Sequence, residues 1–332
     1  MTKRTIICAI LLGSLLTLCV SFYSCEKDGV FNPKQKISRV YEDLSFYSVV
    51  LHEEIVYPKQ LVQDWTWDKN KLNKITFWGF SFHWGEEPTL RIWNTDRYFY
   101  EKNKLVRIEQ DGGYCSKIFY NGSKLDKIKS YNREQELWQT MSFFYDKNKI
   151  TRIKIEVIPS HWDKKMEKKL LSTFIPKEFV SKIVEKSEKN RSKDANAIIY
   201  NVAYTYNGDN IDKTVFVCDA RGYETNVIIN YISYDNKNNP LYKKLEEIDI
   251  EEEMHLGTSV VSPKNNPLEV KVNSTETYNG VVIDEETIKC TYTYTYSKDY
   301  PIVIEAKMIY EDDEYDDDDD DVEITKRYFE YK

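Results

Sequence analysis

The chain has 332 residues, with 47 basic and 55 acidic side chains and a net charge of −8. That balance leaves no basic stripe to neutralise phosphates and argues against nucleic acid as a partner. With 11 Gly and 9 Pro it is neither low-complexity nor fibrous, and its 26 tyrosines are its most unusual count.

Residues 1–24 read as an export signal: Lys3 and Arg4, the apolar run Thr5–Val20, then small Ser24 before Cys25. The apolar run is marginal for a spanning helix, which needs roughly 20 residues. Ser24-Cys25 resembles a bacterial lipobox, which implies signal peptidase II cleavage and a diacylglyceryl group on Cys25. Phe22-Tyr23 stands where that pattern usually has Leu and a small residue. The alternative is an ordinary secretory signal, with Cys25 a bystander. Glu26, Lys27 and Asp28 resemble the surface-export signal of lipoproteins from gut anaerobes, which implies an outer-membrane address with display at the cell surface. Removing Lys3 and Arg4 from the 47 basic residues leaves 45 against 55 acidic ones, a net charge of −10. Residues 25–39 are expected to form a lipid-anchored tether, and 40–332 one antiparallel β domain.

The domain is written in repeats. WTWDKNKLNKI (65–75), YFYEKNKLVRI (98–108), IFYNGSKLDKI (118–128) and FFYDKNKITRI (143–153) share one pattern, and YTYNGDNIDKT (204–214) follows it loosely. Aromatics two apart share a strand face, and Lys-Asn or Asn-Gly supplies residues that accept the positive φ of tight hairpin turns. Leu105 and Ile108, three apart, cannot share a face of a regular strand. Either a bulge intervenes or the Leu packs at the turn. FWGFSFHW (77–84) places Trp78, Phe80, Phe82 and Trp84 on one face, with Gly79, Ser81 and His83 on the other. The aromatic side is expected to point inward, with Trp93 nearby on the paired strand.

The rhythm breaks at His161. Residues 164–192 predict a helical insert, with Phe179, Val180, Ile183 and Val184 on one stripe after Pro176, covering an open end or face of the sheet. A second short helix is expected over 241–254. Asn-Asn-Pro at 238–240 and 265–267 marks turns, and strands resume through Thr287–Tyr296, Pro301–Tyr310 and Val322–Tyr331. The fold expected is therefore mainly β: a large meander of hairpins curled into an open barrel or super-roll, with one or two inserted helices.

The order lipobox, FNPKQKI (31–37), WTWDKNKL, FYNGSKLDKI, YTYNGDN, YDNKNNPLY, SPKNNPLEV and YTYTYSKDYP resembles a Bacteroides-type family of gut-bacterial lipoproteins of unknown function. The resemblance implies a porin-like domain, a large antiparallel sheet curled toward a barrel. More distantly the units look like the YD repeats of bacterial surface proteins, with Asn where those usually have Gly. The family brings no catalytic residues.

Chemistry is sparse. His52, His83, His161 and His255 fall in no metal-ligand spacing. His83 with Glu86 and Glu87 is the nearest approach to an acid–base cluster, and charged clusters arise readily in such a chain. No nucleophile motif, phosphate loop or cofactor fingerprint occurs, so neither catalysis nor a cofactor is expected. Cys115, Cys218 and Cys290 are odd in number and widely spaced, and read as small apolar residues rather than a disulfide framework. The acidic run 311–321 lacks the spaced ligands and turning Gly of a calcium loop and reads as a solvated connection; no metal is expected. Two functions follow: a non-enzymatic binding module, with an extracellular glycan or protein as ligand and Trp78, Trp84 and Trp93 as binding candidates, or a structural or adhesive surface protein. Its membrane contact would run through the lipid on Cys25.

Overall fold

The computed structural model describes residues 33–48, 53–81, 89–158, 174, 180, 198–220, 223–242, 261–311 and 322–332. Sixteen strands follow in chain order: β1 (Ile37–Ser48), β2 (Glu53–Asp68), β3 (Lys71–Ser81), β4 (Thr89–Glu101), β5 (Lys104–Gln110), β6 (Cys115–Asn121), β7 (Lys124–Tyr131) and β8 (Leu137–Asp146). The remainder are β9 (Lys149–Val157), β10 (Ile198–Asn207), β11 (Asn210–Ala220), β12 (Tyr223–Tyr234), β13 (Pro267–Tyr278), β14 (Val281–Ser297), β15 (Tyr300–Glu311) and β16 (Val322–Tyr331). Each pairs antiparallel with its sequence neighbours, and β1 pairs with β16.

The barrel is closed. This corrects the open barrel or super-roll expected from the repeats, because pairing between the first and last strands removes both free edges. The seam holds Val40 opposite Phe329 and Glu42 opposite Arg327. Glu42 and Arg327 form an ion pair at only 8–9% side-chain exposure, and Tyr328 donates to Asp43 Oδ2 at 3.2 Å.

The inserted helices are not shown: the described residues hold no whole helix, and Val180 is the one helical position among them. Most of 164–192 and of 241–254 lies outside them, and Leu241 and Tyr242 sit in a turn. Phe174 and Val180, 3% and 2% exposed, belong to the same apolar cluster as the inward strand residues. The β9–β10 connection thus contributes to the inside of the barrel.

The Leu-x-x-Ile spacing is explained by a bulge just past each turn. Tyr100 faces Leu105 while Phe99 faces Arg107, leaving Val106 unpaired. The same slip occurs at Thr66/Trp67, Phe119/Tyr120, Phe144/Tyr145, Thr205/Tyr206 and Thr295/Tyr296. One extra residue restores the parity of the strand, so Leu105 and Ile108 are both buried, at 6% and 3% exposure.

The bulges also bring each hairpin into contact with the one before it. Hydroxyls of Tyr120, Tyr145, Tyr206 and Tyr234 donate to the carbonyls of Leu105, Leu125, Ile150 and Ile211 at 2.6–2.9 Å. Tyr294 and Tyr331 do the same to Pro267 and Pro301, and Trp67 Nε1 to Ile37, each at 2.7 Å. Lysines add a second latch: Lys104, Lys124 and Lys149 donate to the carbonyls of Gly122, Lys147 and Gly208. Their ammonium groups lie 4.8–5.1 Å from the ring centres of Tyr120, Tyr145 and Tyr206.

Strand polarity is sorted by side. On β9, Ile153, Ile155 and Val157 are fully buried, while Arg152, Lys154 and Glu156 lie between them on the outer face. On β13, Val270 and Val272 are buried, while Glu269, Lys271 and Asn273 face out. Tyr200 and Phe216, both at 0% exposure, stack inside at 5.7 Å. Cys115, Cys218 and Cys290 are buried and sit in no disulfide, as expected for small apolar residues.

Removing the Tyr145 hydroxyl (Tyr145→Phe) should cost about 1 kcal/mol, the net worth of one such bond, read as a shift of the urea midpoint. At the seam, Arg327→Met alone should cost about 3–5 kcal/mol, because it strands a buried carboxylate. The double variant Glu42→Leu/Arg327→Met should recover most of that loss. A double variant as unstable as the single one would show that the pair is not the cause.

Candidate functional site

A cavity of about 130 Å³ lies inside the barrel against β11–β16. Its described walls include Phe174, Ile229, Tyr231, Val272, Tyr292 and Phe329, with Arg327 at one side. At the end of the barrel that carries the tight turns it is bordered by Asn239, Leu241, Ser262 and Asn266.

The two Asn-Asn-Pro stretches build that border by clasping each other. Asn239 Nδ2 donates to the carbonyl of Pro263 at 3.0 Å, and Asn265 Nδ2 to that of Lys237 at 2.7 Å. Asp235 accepts from the Asn266 amide and side chain, both at 3.0 Å, and from the Tyr296 hydroxyl. Proline ends each stretch with fixed φ and no amide to satisfy.

The Tyr-Thr alternation of β14 supplies one wall. Tyr292, Tyr294 and Tyr296 stack in a ladder with ring centres 6.4 and 5.8 Å apart, while the intervening threonines face solvent. Burial pushes the phenols of Tyr292 and Tyr294 well above the ordinary range and that of Tyr231 up to about 12. These hydroxyls are therefore neutral at physiological pH. Arg327 is neutralised by Glu42, so the walls carry no unbalanced charge among the described residues. An enclosure that is mainly apolar and electrically neutral favours uncharged ligands, because a charge entering it loses its hydration uncompensated. Its volume is close to that of an engineered apolar cavity of about 150 Å³ that accepts benzene.

The candidates read from sequence lie elsewhere. Trp78 is half-buried on β3, and its Nε1 is buried without a hydrogen-bond partner. Trp93 is 40% exposed, 5.9 Å from the Arg91 guanidinium, and its indole covers Gly79, where an added Cβ would meet Nε1 at 2.3 Å. A register shift at Phe77/Trp78 leaves Trp93 unpaired and interrupts the regular alternation. Ser81 is 5% exposed while Phe80 is only half-buried, the reverse of the expected ribbon. Trp84, Phe82, the four histidines, Glu86, Glu87 and residues 312–321 lie outside the described residues, as does Cys25. The cavity residues were visible in the sequence only as Tyr-Thr alternation and paired Asn-Asn-Pro turns. Neither pattern says that they meet.

The buried phenols make stability depend on pH. Tyr231 and Tyr120 rise from 10.0 to about 12, mainly through desolvation. The folded state therefore holds these protons more tightly than the unfolded state. Their contribution is fully present below pH 10.0 and is lost as pH rises toward about 12. The melting temperature should accordingly fall above pH 10.0, with phenolate absorbance appearing together with unfolding. A melting temperature unchanged up to pH of about 12 would contradict this.

No protein-family model matches the chain, and a search of the curated proteins finds no match. Among solved structures, a porin-like protein from Bacteroides uniformis superposes with a TM-score of 0.52, at 12% identity, over 91% of this chain and 99% of that one. A TcdB2-TccC3-Cdc42 complex aligns with 84% of this chain and 16% of its own at 11% identity, with a TM-score of only 0.23. The first likeness is one of fold: the chain shares its β-barrel architecture with a gut-bacterial porin-like protein.

Proposed function

We propose that this chain is an exported lipoprotein, anchored at the outer membrane through Cys25, whose barrel stands in water and binds a small ligand without turning it over. The observation that carries the reading is the sorting of polarity along strands such as β9 and β13, with charged side chains outside and a buried set that is mainly apolar, polar exceptions such as Asp96, Gln139 and Glu276 included. A membrane-spanning barrel requires the opposite, an apolar outer band with aromatic girdles around a polar lumen. Sixteen strands are also enough to enclose an aqueous channel. Here inward residues such as Ile153, Ile155 and Val202 have 0% exposure, and Phe174 and Val180 pack among them. That arrangement supports containment rather than conduction.

The cavity supports a neutral, largely apolar ligand about the size of a single ring. A glycan on Trp78, Trp84 and Trp93 is the less supported alternative, since Trp78 is half-buried and Trp93 packs over Gly79. The export signal and the Ser24-Cys25 junction support the anchor and the address.

Added to planar bilayers, the purified protein should produce no conductance steps, and reproducible steps would remove the reading. Benzyl alcohol should raise the melting temperature while benzoate, similar in size but charged, should not. Palmitate labelling in cells should disappear in Cys25→Ala, and an unlabelled wild-type protein would remove the anchor.

A further inference from the structure

The alternating hairpins divide the barrel into two ends. One carries the two-residue turns at 69–70, 102–103, 122–123, 147–148 and 208–209, together with both chain termini of the barrel: the Lys332 amide donates to the Lys36 carbonyl at 2.9 Å. We propose that the β1–β9 half of this end is a docking surface for the phosphate-bearing headgroups of anionic lipid in the membrane to which the chain is tethered. The inference rests on the Cys25 anchor for its biological setting, and its test does not use the anchor.

Three observations converge on it. The first is charge. Around β1–β9 the turn residues 33–36, 68–71, 101–104, 121–124 and 146–149 hold nine lysines against Asp68, Glu101 and Asp146. This surplus sits on a chain whose overall charge is −8. The tips are exposed. Basic groups held at an anionic lipid surface each add attraction, within the range of ionic screening.

The second is the backbone. Lys69, Lys102 and Lys147 occupy the left-handed region at φ 52°, 46° and 52°. A lysine there costs conformational free energy that Asn or Gly would avoid. Sister turns of the same barrel use the easier residues, Gly122, Gly208 and, at the opposite end, Asn279-Gly280, while Lys298 at φ 60° repeats the lysine choice in the β14–β15 turn. Turn geometry alone does not call for lysine at these three tips; the positive charge is what Lys offers there and Asn does not.

The third is the tether. Lys36 lies at the start of β1 and donates to the carbonyl of Lys69 and to Asn70 Oδ1, so the chain leaves the barrel beside the first basic tip. Between Cys25 and Ile37 the chain can span at most about 40 Å. An anchor at Cys25 would therefore hold this half of the barrel end close to the bilayer. The other half of the same end differs: in its described turns Lys237, Lys264 and Lys298 are balanced by Asp209, Asp235 and Asp299, which confines the basic surplus to β1–β9.

The test uses Cys25→Ala protein, unlipidated, sedimented with vesicles of phosphatidylcholine alone or mixed with phosphatidylglycerol. Binding to the mixed vesicles at low salt, release at high salt and no binding to phosphatidylcholine are expected. Lys69→Asn/Lys102→Asn/Lys147→Asn should weaken binding by about tenfold or more. Its melting temperature should be unchanged or higher, because Asn suits these backbone angles better. Replacing three wall lysines instead (Lys117→Gln/Lys127→Gln/Lys129→Gln) should leave binding intact. The proposal is overturned if the wild-type surface ignores the mixed vesicles, if phosphatidylcholine binds equally, if the turn variant binds like its parent, or if the wall variant is the one that fails. A wild-type protein that takes up no palmitate, with vesicle binding by Cys25→Ala retained, would remove the anchor and leave the surface standing.

Discussion

One extra residue past each two-residue turn is the constraint on which the architecture depends. Strand side chains alternate strictly, so an aromatic before the turn and a Leu and Ile three apart after it cannot all face one side of a regular hairpin. The bulge repairs this parity and sets Tyr100 opposite Leu105, Tyr120 opposite Leu125 and Tyr145 opposite Ile150. It also leaves the Leu or Ile carbonyl beside the next hairpin, where a tyrosine hydroxyl takes it up. Core, turn and inter-hairpin contact thus follow from one local device, repeated until the first strand meets the last.

What the barrel contains follows from its polarity. Inward Ile, Val, Tyr and Phe exclude water, and the β9–β10 connection adds Phe174 and Val180 to the same cluster. Outward Lys, Arg and Glu belong in water. The porin-like neighbour shares the chain trace, and a shared trace does not carry a shared lumen. On the reading proposed above, the side-chain sorting rather than the strand count distinguishes a container from a channel.

Much of this was legible before any coordinates. Aromatic–turn–Leu units place the hairpins because their chemistry is local, and the strands from β4 to β9 follow the repeats closely. The three-residue step from Leu105 to Ile108 already required either a bulge or a turn-packed Leu. Closure was not legible, since Glu42 and Arg327 stand 285 positions apart and no local pattern pairs them. The ribbon at Trp78–Trp84 misled because an unpaired Trp93 on the neighbouring strand interrupts the alternation that period-two reasoning assumes. The cavity was invisible for a similar reason: Tyr292, Ile229, Phe174 and Phe329 come from four separate segments.

The β1–β16 seam also dictates when the protein can be finished. Until the final ten residues, Val322–Tyr331, are in place, β1 and β15 each present an unsatisfied edge, and no arrangement of the earlier hairpins can close the ring. Local hairpins form early, while the longest-range pairing in the chain must come last, the order that makes such topologies slow to mature. A chain is synthesised N-terminus first, so β1 waits longest for its partner. A truncation of even the last strand would yield an unclosed sheet with two adhesive margins, a substrate for aggregation or for chaperones rather than a slightly smaller barrel.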